Sequence, residues 1–89
     1  MSEHHLKTTH DAWDAVERGD KTAEFRKDDR GFNVGDTLVL FRTTLPLENL
    51  PRGFPRLNYV ITHIVRGPDY GIPVGYTMLS LSAEKEHKT

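Results

Sequence analysis

At 89 residues the chain suits one small domain with a single core, and it contains no cysteine. Disulfides, a thiol nucleophile and Cys-ligated zinc are therefore excluded, which fits a reducing, cytoplasmic setting. The formal net charge of −1 argues against strong, sequence-independent binding to duplex DNA, which needs many phosphate-neutralising cations.

Charge is unevenly placed. Residues 1–20 carry Glu3, Asp11, Asp14, Glu17 and Asp20 against Lys7 and Arg18, whereas the middle carries Arg42, Arg52, Arg56 and Arg66. A local basic surface on a near-neutral chain suits a small or single-stranded ligand better than a long duplex. No apolar run approaches the ~20 residues of a membrane span, so no membrane partner is expected. The opening MSEHHLKTTH has no apolar h-region, and a secretory leader is not expected either.

Residues 4–8 predict a first strand. Thr8 or Thr9 then caps a helix, with Asp11 close to the positive end of its dipole. Ala12, Trp13 and Val16 form an apolar stripe at helical spacing, and Gly19 supplies the left-handed C′ position. Residues 21–27 (KTAEFRK) predict a second strand, in which side chains alternate. Ala23 and Phe25 share one face; Thr22, Glu24 and Arg26 share the other. Trp13 and Phe25 are expected in the core.

Asp28, Asp29 and Arg30 read as turn residues, and Asn33-Val34-Gly35-Asp36 as a tight structural turn in which Gly35 takes a positive φ. Residues 37–44 (TLVLFRTT) predict a third strand, rich in β-branched and aromatic residues. Three prolines and a glycine in 46–55 exclude a central strand or long helix there, leaving a loop. Residues 56–65 (RLNYVITHIV) predict a fourth strand, 66–73 a second punctuated loop, and 75–82 (GYTMLSLS) a fifth strand. The loop aromatics Phe54 and Tyr70 are expected to pin their loops to the body rather than to stack on a base. One helix and about five strands indicate a mainly β, mostly antiparallel small barrel, one domain over 1–83, followed by a polar, frayed tail at 84–89.

The stretch 21–36 carries the chemistry. Lys21, Glu24 and Arg26 surround a strand with only two apolar positions, Ala23 and Phe25. A carboxylate beside an arginine fork offers acceptors and donors in a fixed plane, a match for a nucleobase edge, a carboxylate or a phosphate. The same residues also make sense as exposed cross-strand ion pairs worth ~0–1 kcal/mol each. Alternation alone leaves both readings open.

The histidines His4, His5, His10, His63 and His87 show no i, i+4 pair and no acidic residue completing a ligand set, so no metal or other cofactor is expected. His63, in an apolar strand, reads as a satisfied structural histidine. No Gly-rich phosphate loop or Gly-x-Ser-x-Gly elbow is present. The catalytic candidates are Lys21, acting as a base on Thr22, and Glu24, though nothing in the spacing demands either.

The order His4-x-Leu6-Lys7, Trp13 on a helix, Gly19-x-Lys21-Thr22-x-Glu24-x-Arg26-Lys27-x-Asp29-Arg30, and Val34-Gly35-Asp36 resembles the ASCH superfamily, and within it the small bacterial and phage DUF3850 group. Gly75-Tyr76-Thr77-Met78-Leu79-Ser80-Leu81 is similar to that group's last strand. The resemblance implies a PUA-like β-barrel with a helix at its side. It also implies a cleft for RNA or a nucleobase lined by Lys21, Glu24 and Arg26, with Lys7, Lys27 and Arg30 as weaker members. His4 matches the group's leading histidine.

Some ASCH relatives are small amidohydrolases that deacylate N4-acetylcytidine with a lysine, a threonine and a distant glutamate. Lys21 matches their lysine, but Glu24 stands where their threonine falls. The leading expectation is thus a module binding RNA or a modified nucleobase, nucleoside or nucleotide. The alternatives are an amidohydrolase acting on an acylated nucleoside and a protein-interaction module.

Overall fold

The computed structural model describes residues 1–83; the expected tail at 84–89 lies outside the described residues. In chain order it contains β1 (Glu3–Thr8), α1 (His10–Arg18), β2 (Ala23–Lys27), β3 (Thr37–Arg42), β4 (Arg56–Arg66) and β5 (Tyr76–Ala83). Short 3-10 turns occupy Leu47–Asn49 and Asp69–Gly71.

Thr9 caps α1: its hydroxyl accepts from the Ala12 amide at 3.3 Å. Gly19 ends the helix at φ +86°, a conformation that costs glycine little. Trp13 and Val16 bury one stripe of α1 among Leu6, Phe32, Leu38, Leu40, Ile61 and Leu79. Each fully buried aliphatic side chain contributes about 1.5–3 kcal/mol. The Tyr59 hydroxyl donates to the Val16 carbonyl at 3.3 Å and ties the helix to β4.

The five strands form one sheet in the order β1-β3-β4-β5-β2. All pairs are antiparallel except β1–β3, which is parallel. Strands adjacent in sequence, β1 and β2, therefore stand at opposite edges. The sheet curls into a half-barrel that brings those edges face to face, and side chains rather than a backbone ladder span the seam. Arg26 Nη2 donates to the Lys7 carbonyl at 2.7 Å, and Arg30 Nη1 to the His5 carbonyl at 3.0 Å.

Several sequence expectations change. The alternation of β2 is as predicted, but its faces are reversed: Glu24 is 6% exposed and Phe25 48% exposed. The curl toward β1 turns the charged face inward, and Phe25 stacks outside on Tyr76, with ring centroids 5.4 Å apart and planes 8° apart. In β4, Ile61 pairs with Leu81 and His63 with Ser80, so Thr62 is an extra residue in a bulge. The bulge resets parity: Leu57, Tyr59 and Ile61 face the core before it and Ile64 after it, and His63 is left exposed rather than structurally satisfied.

Phe54 does pin its loop, lying half-buried 6.4 Å from the Phe41 ring. Tyr70 does not. It is 92% exposed at φ +55°, and a bond from the Ile72 amide to the Asp69 carbonyl at 3.0 Å holds its turn without the ring.

Candidate functional site

Gly19 turns the chain out of α1 and delivers Lys21 beside the start of β2, where the Lys21 amide still bonds the Ala15 carbonyl at 3.1 Å. From there Lys21 Nζ donates to Glu24 Oε1 at 2.8 Å and to the Ala23 carbonyl at 2.7 Å. Two residues along the same face, Arg26 Nε donates to Glu24 Oε2 at 2.9 Å. Each carboxylate oxygen of the buried Glu24 thus holds one cation, and the trio carries a net positive charge.

The trio forms one wall of a cleft of about 390 Å³ between the two sheet edges. Lys7, Thr8, Thr9 and Ala12 form the facing wall. The first turn of α1 therefore looks into the cleft, and helix amides in that turn lack intrahelical acceptors and carry a positive partial charge.

Donors dominate what remains open. Lys21 Nζ has one hydrogen beyond its two bonds, and Arg26 has three, both on Nη1 and the second on Nη2. Lys7 is exposed and has no acidic partner among the described residues. Such a lining suits phosphate or carbonyl oxygens. Glu24, buried and already shared, serves to hold the two cations in place.

Of the residues expected to bind ligand, Lys7, Lys21, Glu24 and Arg26 come together at this cleft. Lys27 and Arg30 do not line it. Lys27 is exposed on the outer face of β2 opposite Tyr76, and Arg30 is committed to the His5 carbonyl and lies 3.9 Å from Asp29. Asp28 leaves its turn to meet Arg66 at 3.1 Å. Lys21 makes no hydrogen bond to the exposed Thr22 hydroxyl among the described residues; its ammonium is directed to Glu24. No cluster of three or more His, Cys, Asp or Glu side chains suited to a metal occurs among the described residues.

A second recess of about 240 Å³ lies on the other side of Lys21, with Thr22 and Tyr59 in its lining. Burial, and next the negative charge of Glu17, push the Tyr59 phenol above its ordinary pKa, so it serves as a neutral donor rather than a base.

His4 sits apart from the cleft in a buried pair. Its Nε2 donates to Asp36 Oδ2 at 2.9 Å, and Asp36 also accepts from the Ser2 amide and the Asn33 amide, each at 3.0 Å. The His4 bond, opposed by burial and aided by both amides, holds the Asp36 carboxyl below the ordinary carboxylate range.

Sequence reasoning did not find the facing wall at Thr8 and Thr9 or the outer Phe25–Tyr76 pair. Both depend on which distant strands meet, and no local spacing encodes that.

A family model described as Domain of unknown function (DUF3850) matches residues 3–81, a span that includes Lys7, Lys21, Glu24 and Arg26. A comparison with curated proteins finds no match.

Proposed function

The chain belongs to the DUF3850 family, whose description assigns no activity, and we propose that it binds RNA or a nucleotide through the Lys7–Lys21–Arg26 cleft. The observation that carries this reading is the convergence of Lys21, Glu24 and Arg26, with Lys7 opposite, on one cleft of about 390 Å³. Lys21 and Arg26 engage phosphate or base carbonyl oxygens with their remaining hydrogens. Glu24 keeps both cations aimed, and the first turn of α1 adds a favourable field for an anion. The curled five-stranded sheet with one flanking helix, together with the Gly19-x-Lys21-Thr22-x-Glu24-x-Arg26 signature, supports a PUA-like barrel of the ASCH superfamily as the finer fold assignment.

The test is a titration of labelled single-stranded RNA, and of a panel of nucleosides and nucleoside monophosphates, against wild type, Lys7→Ala and Lys21→Gln. The expected result is binding by wild type, weakened roughly tenfold in Lys21→Gln through loss of a charge-assisted bond. Equal affinity in all three proteins, or no binding by wild type, sinks the reading.

A further inference from the structure

We infer that the outer face of β2 and β5 is a base-stacking platform, so that the cleft's ligand is a single-stranded nucleic acid longer than one nucleotide. This rests on the binding reading above and extends it from one nucleotide to a strand.

Phe25 is 48% exposed and Tyr76 37% exposed, yet their rings lie parallel, 8° apart in plane, on the protein surface. A stacked pair left in water keeps an aromatic face available for a third ring. Met78 stands beside Phe25 in the ladder and is half-buried, which extends the apolar surface under the pair.

Phe25 is also part of the lining of the cationic cleft. On the strand it sits between Glu24 and Arg26, which face inward, so it forms the lip where the inner cleft meets the outer face. Because β2 is an edge strand, a ligand gripped by Lys21 and Arg26 reaches the platform by passing over that edge beside Phe25.

Charge fits the same occupant. Lys27 shares the outer face with Phe25, stands opposite Tyr76, is exposed, and has no acidic partner among the described residues. With Lys7 and the net positive trio, the lip has cations on both sides and an aromatic pair between them. Single-stranded nucleic acid is bound by this combination, in which a basic track holds the backbone and aromatic faces hold the bases. An apolar protein partner would leave those flanking cations unpaired or bury them.

The test compares decamers of single-stranded RNA and DNA with a nucleoside monophosphate, using wild type, Phe25→Leu, Tyr76→Leu and Phe25→Tyr. Wild type is expected to bind a decamer at least tenfold more tightly than the monophosphate. Phe25→Leu and Tyr76→Leu should each lose about tenfold for the decamer, and Tyr76→Leu, which lies outside the cleft lining, should stay within about twofold for the monophosphate. Phe25→Tyr, which keeps the ring, should retain decamer binding. A decamer carrying 2-aminopurine should be quenched on binding wild type and not on binding Phe25→Leu.

If wild type binds neither ligand, the cleft reading fails and this inference with it. If wild type binds the monophosphate as tightly as the decamer, or if decamer affinity survives both leucine substitutions, the platform alone is overturned. The platform is also overturned if wild type dimerises by light scattering and the leucine variants abolish dimerisation without changing decamer affinity; its occupant is then a second copy of the chain.

Discussion

Arg26 Nη2 donates to the Lys7 carbonyl at 2.7 Å across the seam between the two edge strands of the sheet. The same guanidinium holds Glu24 Oε2 at 2.9 Å, so one side chain both closes the half-barrel and forms part of the cleft wall. Lysine cannot reproduce two directed bonds from a planar fork. Arg26→Lys should therefore lose about 1 kcal/mol, or roughly 4–8 °C in Tm for a domain of this size. Hydrogen exchange should accelerate in β1 and β2 while β4 is unaffected. An unchanged Tm would show that the seam is held elsewhere.

Among the described residues Glu24 is the only carboxylate paired with Lys21 and Arg26, and its side chain is 8% exposed while theirs are 34% and 27% exposed. Glu24→Gln leaves two cations facing each other without the anion that holds them. The expected cost is about 2–3 kcal/mol in urea denaturation, below that of a fully buried pair because the cations are partly solvated. Adding Lys21→Met to Glu24→Gln relieves the repulsion, so the double variant should be less destabilised than the sum of its parts. Strict additivity would mean that the three charges do not act as a unit.

The pairing of Glu24 with Arg26 is legible in the sequence because strand alternation gives the two a shared face, whereas Lys21 precedes β2 and joins them through the turn that leaves α1. Which face is inside is not legible. Alternation gives a period, and only the curl of the sheet decides that Glu24 turns in and Phe25 turns out. The parallel pairing of β1 with β3 is hidden for the same reason, since His4 meets Leu38 across more than thirty residues of intervening chain. His63 shows a third limit: one extra residue, Thr62, reverses the parity of everything after it. The caps at Thr9 and Gly19 and the turn at Gly35 depend on nearest neighbours, and the sequence predicts them.

Asp36 anchors the start of β1 to the turn before β3 by accepting from His4, Ser2 and Asn33. Its folded pKa lies below the unfolded carboxylate value of ~3.9. The stabilisation is therefore fully present above about pH 4 and is lost as pH falls through the folded value. Denaturation curves at pH 7, 4 and 3 should show stability dropping across the last interval. Asp36→Asn should lower stability at pH 7 by about 1–3 kcal/mol, because an amide offers one acceptor atom to donors that need two. It should also flatten the acid limb; a variant with the wild-type acid slope would assign that limb to other carboxylates.

Gly67 lacks a side chain for a steric reason. Its amide donates to the Tyr76 carbonyl at 3.0 Å, and a Cβ at this position would overlap the backbone of Ile72 and Pro73. Backbone cannot swing aside as a flexible side chain can, so Gly67→Ala should cost more than about 2 kcal/mol. Gly53 makes the comparison. Its φ is +81° and nothing lies within 4 Å of a Cβ there, so Gly53→Ala should cost only the left-handed penalty of about 1 kcal/mol. Thermal unfolding of the two variants in parallel tests the order, and a reversed order would place the tight approach elsewhere in the 66–73 loop.

Ionic strength gives the binding reading a number that does not depend on knowing the natural ligand. Three cations line the cleft, Lys7, Lys21 and Arg26. A single strand releases counterions with a slope of about −0.7 per phosphate neutralised, so log K against log salt should fall with a slope near −2. Glu24 orients Lys21 and Arg26 and makes no phosphate contact of its own, so it leaves the slope unchanged. Lys7 has no acidic partner among the described residues, and Lys7→Ala should reduce the slope by about 0.7 with little loss of stability. Titrations from 50 to 300 mM salt measure this. A slope near zero would mean that the cleft binds a neutral base through its donors alone, and a slope steeper than about −4 would require cations well beyond the cleft and the Lys27 lip.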